Sequence, residues 1–278
     1  MAPIVIAVAN QKGGVGKTSL VANLAWLISQ EGGLRVLMMD FDPQGNLSEA
    51  FEHPPAEATV AEWLLDPTIR TDQCTVQIAD RLWLMPADEN LAGAEAAIGR
   101  ESQPATVLSR RMPSLYDSSY ELIVIDAPPS LGILTVNALA ASRWILVPVQ
   151  CAFWSLRGLK QLLDTLHRVR QHANRELSVL GLVVNMFDSR TLHSAEVVEG
   201  LRRRFGDMVF GAIIPRTVRF DDATAMRQPL VATLPQHKAS IALRSVAAEM
   251  LERLGLHRQA ARIGEKVSVE AATSAPGS

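Results

Sequence analysis

The sequence predicts a doubly wound α/β fold, a mostly parallel sheet flanked by helices. Three observations predict it. Short apolar, β-branched runs recur along all 278 residues and read as continuous hydrophobic stretches, the pattern of strands buried on both faces. Helical patterns alternate with them, as βαβ connections require. The chain is 48% hydrophobic with only 5% aromatic residues, so a large aliphatic core of helices packed on a sheet is within reach.

The elements follow in order. A strand over Ile4–Ala9 leads through a glycine-rich turn into a helix over Thr18–Gln30, which Gly32 and Gly33 end. Strands are expected at Leu34–Met39, Leu82–Met85, Leu122–Ile125, Trp144–Val149, Val179–Val184 and Val209–Ile214. Helices are expected at Ala105–Tyr116, Leu131–Ala140, Leu156–His172, Ser194–Phe205 and Ala239–Leu254. Residues 52–105 carry the weakest pattern; "HPPAEATVAEWLLDP" reads as a loop and a short helix. Residues 1–260 are expected to form one domain. The small, polar residues 261–278 are expected to be a disordered tail.

Net charge is −2, but it is unevenly spread. Residues 1–150 carry 9 basic and 17 acidic side chains, whereas residues 151–244 carry 14 basic and 8 acidic. That asymmetry points to an anionic partner for the second region. Cys74 and Cys151 lack metal-ligand or redox spacing, and the six histidines form no metal pattern. "MAPIVIAVA" is too short for a signal peptide and has no basic flank. The apolar stretch Leu131–Trp154 is broken by Asn137, Arg143, Pro148 and Gln150, so no membrane span is expected and the location is read as cytoplasmic.

The chemistry concentrates in three motifs. "NQKGGVGKTS", residues 10–19, sits between a strand and a helix, the setting of a phosphate-binding loop. Gly13, Gly14 and Gly16 let backbone amides approach an anion, and the helix adds its positive end. Lys17 is placed to reach the β- and γ-phosphates of ATP, and the Thr18 hydroxyl to reach Mg²⁺. Lys12 is a second, unexpected lysine. Two readings stand: a solvated side chain, or one directed outward to a second subunit's nucleotide. "VLMMDFDPQGN" puts Asp40 and Asp42 at a strand's C-terminal end, where carboxylates hold a metal's water shell, orient a water or merely cap the turn. "ELIVIDAPPS" is a buried strand ending in Asp126, a carboxylate suited to Mg²⁺.

These stretches resemble the deviant Walker A motif and the two switch segments of the ParA/MinD superfamily, and the resemblance runs from Ile4 to about Leu254. The downstream stretches "LVPVQCAFWSLRGLKQLLDTL" and "NMFDSRTLHSAEVVEGLRRRFGDMVFGAIIPRTVRFDDA" are more similar to the ParA, or Soj, partitioning ATPases than to MinD. The resemblance implies an ATPase using ATP and Mg²⁺, and a homodimer formed on ATP binding. Lys12 is then the signature lysine crossing to the partner's nucleotide, and Lys17 holds nucleotide in its own subunit. Asp42 would position the hydrolytic water, so Lys12, Lys17 and Asp42 form the catalytic set. Gly13, Gly14, Val15, Gly16, Thr18 and Ser19 complete the phosphate cradle, and Asn185 and Pro215 lie by the adenine. Thr18, Asp40 and Asp126 serve the metal. Arg190, Arg219 and Lys238 match the family's positions for non-specific double-stranded DNA, and a ParB-type partner would stimulate hydrolysis. The dimer would be nucleoid-associated.

The chain departs from the family pattern at Ala152 and Arg157, where glutamates are usual, and at Gln236 and Ala239, where basic residues and a glycine are. These changes predict weaker DNA binding or a footprint shifted towards Arg157. The run Arg202, Arg203 and Arg204 reads either as an addition to the DNA field or as a solvated helix face. Three other classes compete: a MinD-like membrane ATPase, a metabolic P-loop ligase such as an amide synthetase, and an iron–sulfur P-loop protein. The first needs a basic amphipathic C-terminal helix, which "GEKVSVEAATSAPGS" does not offer; the third needs cysteines at the switch positions. The phosphate loop begins about a dozen residues into the chain, which leaves no room for an N-terminal operator-reading domain.

Overall fold

The structure, a computed structural model, describes residues 2–116, 119–151 and 155–273, the side chains of 155–157 and 268–273 excepted. Arg157 and Ala152, two of the departures noted above, therefore lie outside the described side chains.

Eight strands form one sheet: β1 (Ile4–Val8), β2 (Val36–Asp40), β3 (Val76–Ala79), β4 (Leu82–Met85), β5 (Leu122–Asp126), β6 (Trp144–Gln150), β7 (Ser178–Phe187) and β8 (Val209–Pro215). Their order is β3-β4-β2-β5-β1-β6-β7-β8. All neighbours are parallel except β3 and β4. The chain leaves β1 towards β2 on one side and later crosses from β5 to β6 on the other. The crevice at the C-terminal ends of these strands is where such folds bind ligands.

The strands alternate between two cores. Val5, Ala7, Leu37, Met39, Ile123, Ile125, Ile145 and Val147 point to one face of the sheet. Ile6, Val8, Val36, Met38, Leu122, Val124 and Leu146 point to the other. Both sets are buried, which is why the strands read as unbroken apolar runs. The helices Ile133–Ala141 and Ser155–His172 cover the first face, and Lys17–Gln30 and Lys238–Arg253 the second.

Several elements differ from expectation. Strand β3 is an antiparallel edge strand of four residues, paired through the turn Asp80-Arg81 with Arg81 at φ 57°. No glycine marks that turn, so the usual hairpin signal is missing. The helix expected over Ala105–Tyr116 is interrupted: Val107–Arg111 is followed by Pro113–Tyr116, since proline cannot continue a helix. Short helices at Asn90–Ile98 and Arg219–Ala225 were not expected.

Of the residues expected to form a disordered tail, 261–273 are helical, and 274–278 lie outside the described residues. A helix over His257–Thr273 carries the chain through the expected domain boundary, and its Ala260 and Ile263 are buried against the second core. Glu31, at the end of the Lys17–Gln30 helix, receives Lys266 at 3.9 Å and the buried Arg244 at 3.0 Å. Arg262 also donates to the carbonyl of Gly32. The helix is held by docking, which local composition does not report.

Candidate nucleotide site

The turn after β1 is strapped to the sheet from both sides. Asn10 Nδ2 donates to the Pro148 carbonyl at 2.7 Å, and Asn10 Oδ1 accepts the Lys12 backbone N–H at 3.0 Å. On the far side, Asn185 Nδ2 donates to the Val15 carbonyl at 2.8 Å, while its Oδ1 accepts the Met186 N–H at 2.9 Å. Gly16 has φ 81°, and a β-carbon there would lie 2.4 Å from Asn185 Nδ2. Both its backbone and its surroundings therefore require glycine. Gly13 and Gly14 are exposed, and Val15 is buried.

The helix then starts at Lys17, which is only 7% exposed. Burial pulls the Lys17 pKa below its ordinary value, against the opposing pull of Asp126 and Asp42. Thr18 Oγ1 donates to Asp126 Oδ2 at 2.6 Å. Asp126 Oδ1 is buried without a hydrogen-bond partner among the described residues. Burial, followed by repulsion from Asp40, pushes the Asp126 carboxyl up to about 8. An orphaned carboxylate oxygen beside a hydroxyl is an all-oxygen donor set that suits a hard divalent cation such as Mg²⁺. Ser19 lines the groove next to them.

Asp40 is fully buried and fully engaged. Its Oδ2 accepts the Ser48 N–H at 2.8 Å and the Ser48 hydroxyl at 2.7 Å, and its Oδ1 accepts the Asp42 N–H at 3.2 Å. Burial nonetheless pushes its carboxyl up to about 6. Asp40 does not line the groove. Instead it shapes the Asp42–Ser48 loop that carries Asp42 into it. Asp42 Oδ1 caps this loop by accepting the Gln44 N–H at 3.1 Å.

Two adjoining cavities run along the turn. One of about 340 Å³ is lined by Lys17, Thr18, Asp42 and Pro129. The other, of about 480 Å³, is lined by Gln150, Asn185, Pro215 and Val218. Met186, held at φ 56°, lines both. The structure thus gathers Lys17, Thr18, Ser19, Asp42, Asn185 and Pro215 around one groove. Asn185 commits one amide hydrogen to the Val15 carbonyl of the turn and one lone pair to the neighbouring Met186 N–H. Lys12 lies aside: its Nζ donates to Gln150 Oε1 at 2.7 Å.

The basic residues are exposed, and Arg190 also lines the larger cavity. Arg190 has an 86% exposed side chain and pairs with Asp188 through two hydrogen bonds of 2.9 and 2.7 Å. Arg219 pairs with Asp222 at 2.9 Å. Lys238 begins the Lys238–Arg253 helix, exposed, and with Arg219 it helps depress the pKa of His237, whose main cause is burial. Arg202 donates to the Gly211 carbonyl and Arg203 pairs with Glu199, so this run is engaged on its own surface.

Sequence reasoning missed Asn10, Ser48, Gln150 and Met186. Each acts across the fold, and only Asn10, adjoining the turn, had a local signal. Among the described residues there is no cluster of three or more metal-binding side chains of the His, Cys, Asp or Glu type, and no helix long and apolar enough to cross a membrane.

Known proteins resemble this chain over most of its length. The family described as an AAA domain matches residues 4–179. The chromosome-partitioning ATPase Soj of Thermus thermophilus is 39% identical over 249 residues, 90% of this chain and 96% of that protein. The chromosome partitioning protein ParA of Caulobacter vibrioides is 36% identical over 252 residues, 90% of this chain and 94% of that one. The crystal structure of cobyrinic acid a,c-diamide synthase from Mycobacterium smegmatis, with bound ADP and magnesium, is 36% identical, covers 91% of this chain and 96% of its own, and superposes with a TM-score of 0.77.

Proposed function

Because the chain belongs to the ParA/Soj family of chromosome-partitioning ATPases, we propose that it is an ATP-driven switch for DNA segregation. It is an ATPase that uses ATP and Mg²⁺. The observation that carries the reading is the groove along residues 12–19, with Lys17, Thr18 and Asp42 on one cavity wall and the orphaned Asp126 oxygen behind Thr18.

In this reading Gly13, Gly14, Val15 and Gly16 present amides to the phosphates, and Lys17 neutralises the β- and γ-phosphates. Mg²⁺, when bound, would supply positive charge to offset that of the phosphates. Thr18 and Asp126 hold it, while Asp40 and Ser48 fix the loop that aims Asp42 at the attacking water. Asn185 straps the cradle and Pro215 packs the adenine.

Lys12 reaches the nucleotide of a second copy, so ATP favours a homodimer. Pairing pools two copies of the rim formed by Arg190, Arg219 and Lys238 into one surface for double-stranded DNA. Hydrolysis removes the γ-phosphate contacts and releases it. A ParB-type partner accelerates that step, and the protein works in the cytoplasm on the nucleoid. No membrane partner is proposed, because the C-terminal helix commits Ala260 and Ile263 to the core.

DNA binding over a salt series, with ATP, with ADP and without nucleotide, tests the proposal. Only ATP should give binding, and it should weaken steeply with salt. Lys17→Ala should lose nucleotide and DNA together, whereas Arg219→Ala should lose DNA and keep nucleotide. The diamide synthase likeness supports a second reading, ATP-driven amidation of a small acid. ATP turnover that depends on such an acid and ignores DNA would favour it.

A further inference from the structure

Lys12 is clamped at both ends to one strand. Its backbone N–H is held by Asn10 Oδ1, and Asn10 is itself held by the Pro148 carbonyl of β6. Its ammonium donates at 2.7 Å to the side-chain oxygen of Gln150, the last residue of the same strand. Lys12 and Gln150 are 138 positions apart, and only the pairing of β6 with β1 brings them together. The contact is half-buried, so water replaces it poorly.

We propose that Gln150 is a positioning residue that parks Lys12 in the unpaired chain and so sets the threshold for pairing on ATP. This rests on the reading that Lys12 acts on the nucleotide of a second copy. A charge-assisted hydrogen bond must then break in each chain before the ammonium can leave. The cost enters twice per dimer. Gln150 is well suited to the task because its amide is a neutral acceptor. It holds an ammonium firmly enough to order it, yet less firmly than a carboxylate would. It also faces the larger cavity, so its effect on pairing must be separated from any effect on nucleotide binding.

The two substitutions Gln150→Leu and Gln150→Glu should act in opposite directions. Leucine removes the acceptor, and the dimer dissociation constant with Mg²⁺ and a non-hydrolysable ATP analogue should fall on the order of tenfold or more. Glutamate turns the contact into an ion pair, and that constant should rise by a similar factor. The change in pairing should exceed any change in nucleotide affinity, measured on dilute single chains, that follows from the place of Gln150 in the cavity lining. Circular dichroism and melting temperature establish that both variants fold. Lys12→Ala separates the proposal from the reading beneath it. If Lys12→Ala pairs as the parent does, the reading fails. If Lys12→Ala stays single while both Gln150 variants pair like the parent, or shift the same way, the proposal alone is overturned. A matching change in nucleotide affinity would also overturn it, making Gln150 part of the base site.

Discussion

Asp40 and Asp126 face each other at matched positions at the C-terminal ends of the adjacent parallel strands β2 and β5. Both are buried; repulsion from Asp40 adds to the rise that burial causes in the Asp126 pKa, whereas the rise at Asp40 itself comes from burial and, last, from Asp42. Two carboxyls in one dry site cannot both ionise at low cost without a cation. That arrangement makes the site a poor structural element and a good receiver of positive charge.

The first prediction concerns Asp126. In the metal-free chain its folded pKa is about 8 against an ordinary 3.8. Between these values the folded chain holds a proton that the unfolded chain has released, so stability falls as pH rises through that window and levels off above it. Asp126→Asn should flatten this slope and raise the melting temperature of the nucleotide-free protein near pH 8 by a few degrees, ~1 kcal/mol being worth about 2–4 °C at this size. It should also abolish the Mg²⁺-dependent part of ATP affinity. Thermal scans across pH and calorimetric titration with and without Mg²⁺ read both effects.

Ser48 holds Asp40 and also accepts the Ala87 backbone N–H at 2.9 Å. Ser48→Ala leaves both short of a partner and should cost about 1–3 kcal/mol of stability, read by urea unfolding. ATP binding should persist while hydrolysis slows, because Asp42 loses its fixed loop. A variant that hydrolyses ATP at the parental rate would remove Asp40 and Ser48 from the account.

Asn185 lines the larger cavity, but its Nδ2 already donates to the Val15 carbonyl of the turn. Asn185→Ala should therefore weaken ATP and GTP by the same factor, about tenfold if one buried hydrogen bond to the cradle is lost. A selective loss of ATP over GTP in parallel calorimetric titrations would make Asn185 a base reader instead.

Asp188 and Asp222 each neutralise an arginine of the proposed DNA rim. Exposed pairs of this kind add little to stability. Asp188→Asn and Asp222→Asn should leave the fold intact and raise DNA affinity severalfold at low salt, with a steeper salt dependence, as fluorescence anisotropy would show.

The C-terminal helix is structural. Ile263 is fully buried, and Ile263→Ala should cost about 2–4 kcal/mol in urea unfolding. If the change were neutral, the helix would not be docked as described.

The parts legible in the sequence share one property: their signal is local. The run Ile4–Val8 followed by Gly13, Gly14, Gly16, Lys17 and Thr18 announces strand, turn and helix within a few residues. The runs ending at Asp40 and Asp126 announce buried strands with a carboxylate at the crevice. What was not legible depends on long-range contact. Asn185 reaches Val15 across 170 positions, and no local pattern says that its amide is used on the turn. For Lys12 two readings stood open, solvated or outward, because Gln150, which accepts from it, adjoins it only once β6 lies beside β1. The helix beyond residue 260 owes its order to Glu31 and to the core beneath Ile263, while its own composition, Gly264 included, suggests none.

Sedimentation velocity with Mg²⁺ and a non-hydrolysable ATP analogue tests the central claim most directly. The parent chain should sediment as a dimer with the analogue and as a single chain with ADP, and Lys12→Ala should remain single in both. A parent chain that stays single when saturated with the analogue, or a Lys12→Ala variant that pairs as well as the parent, would contradict the account.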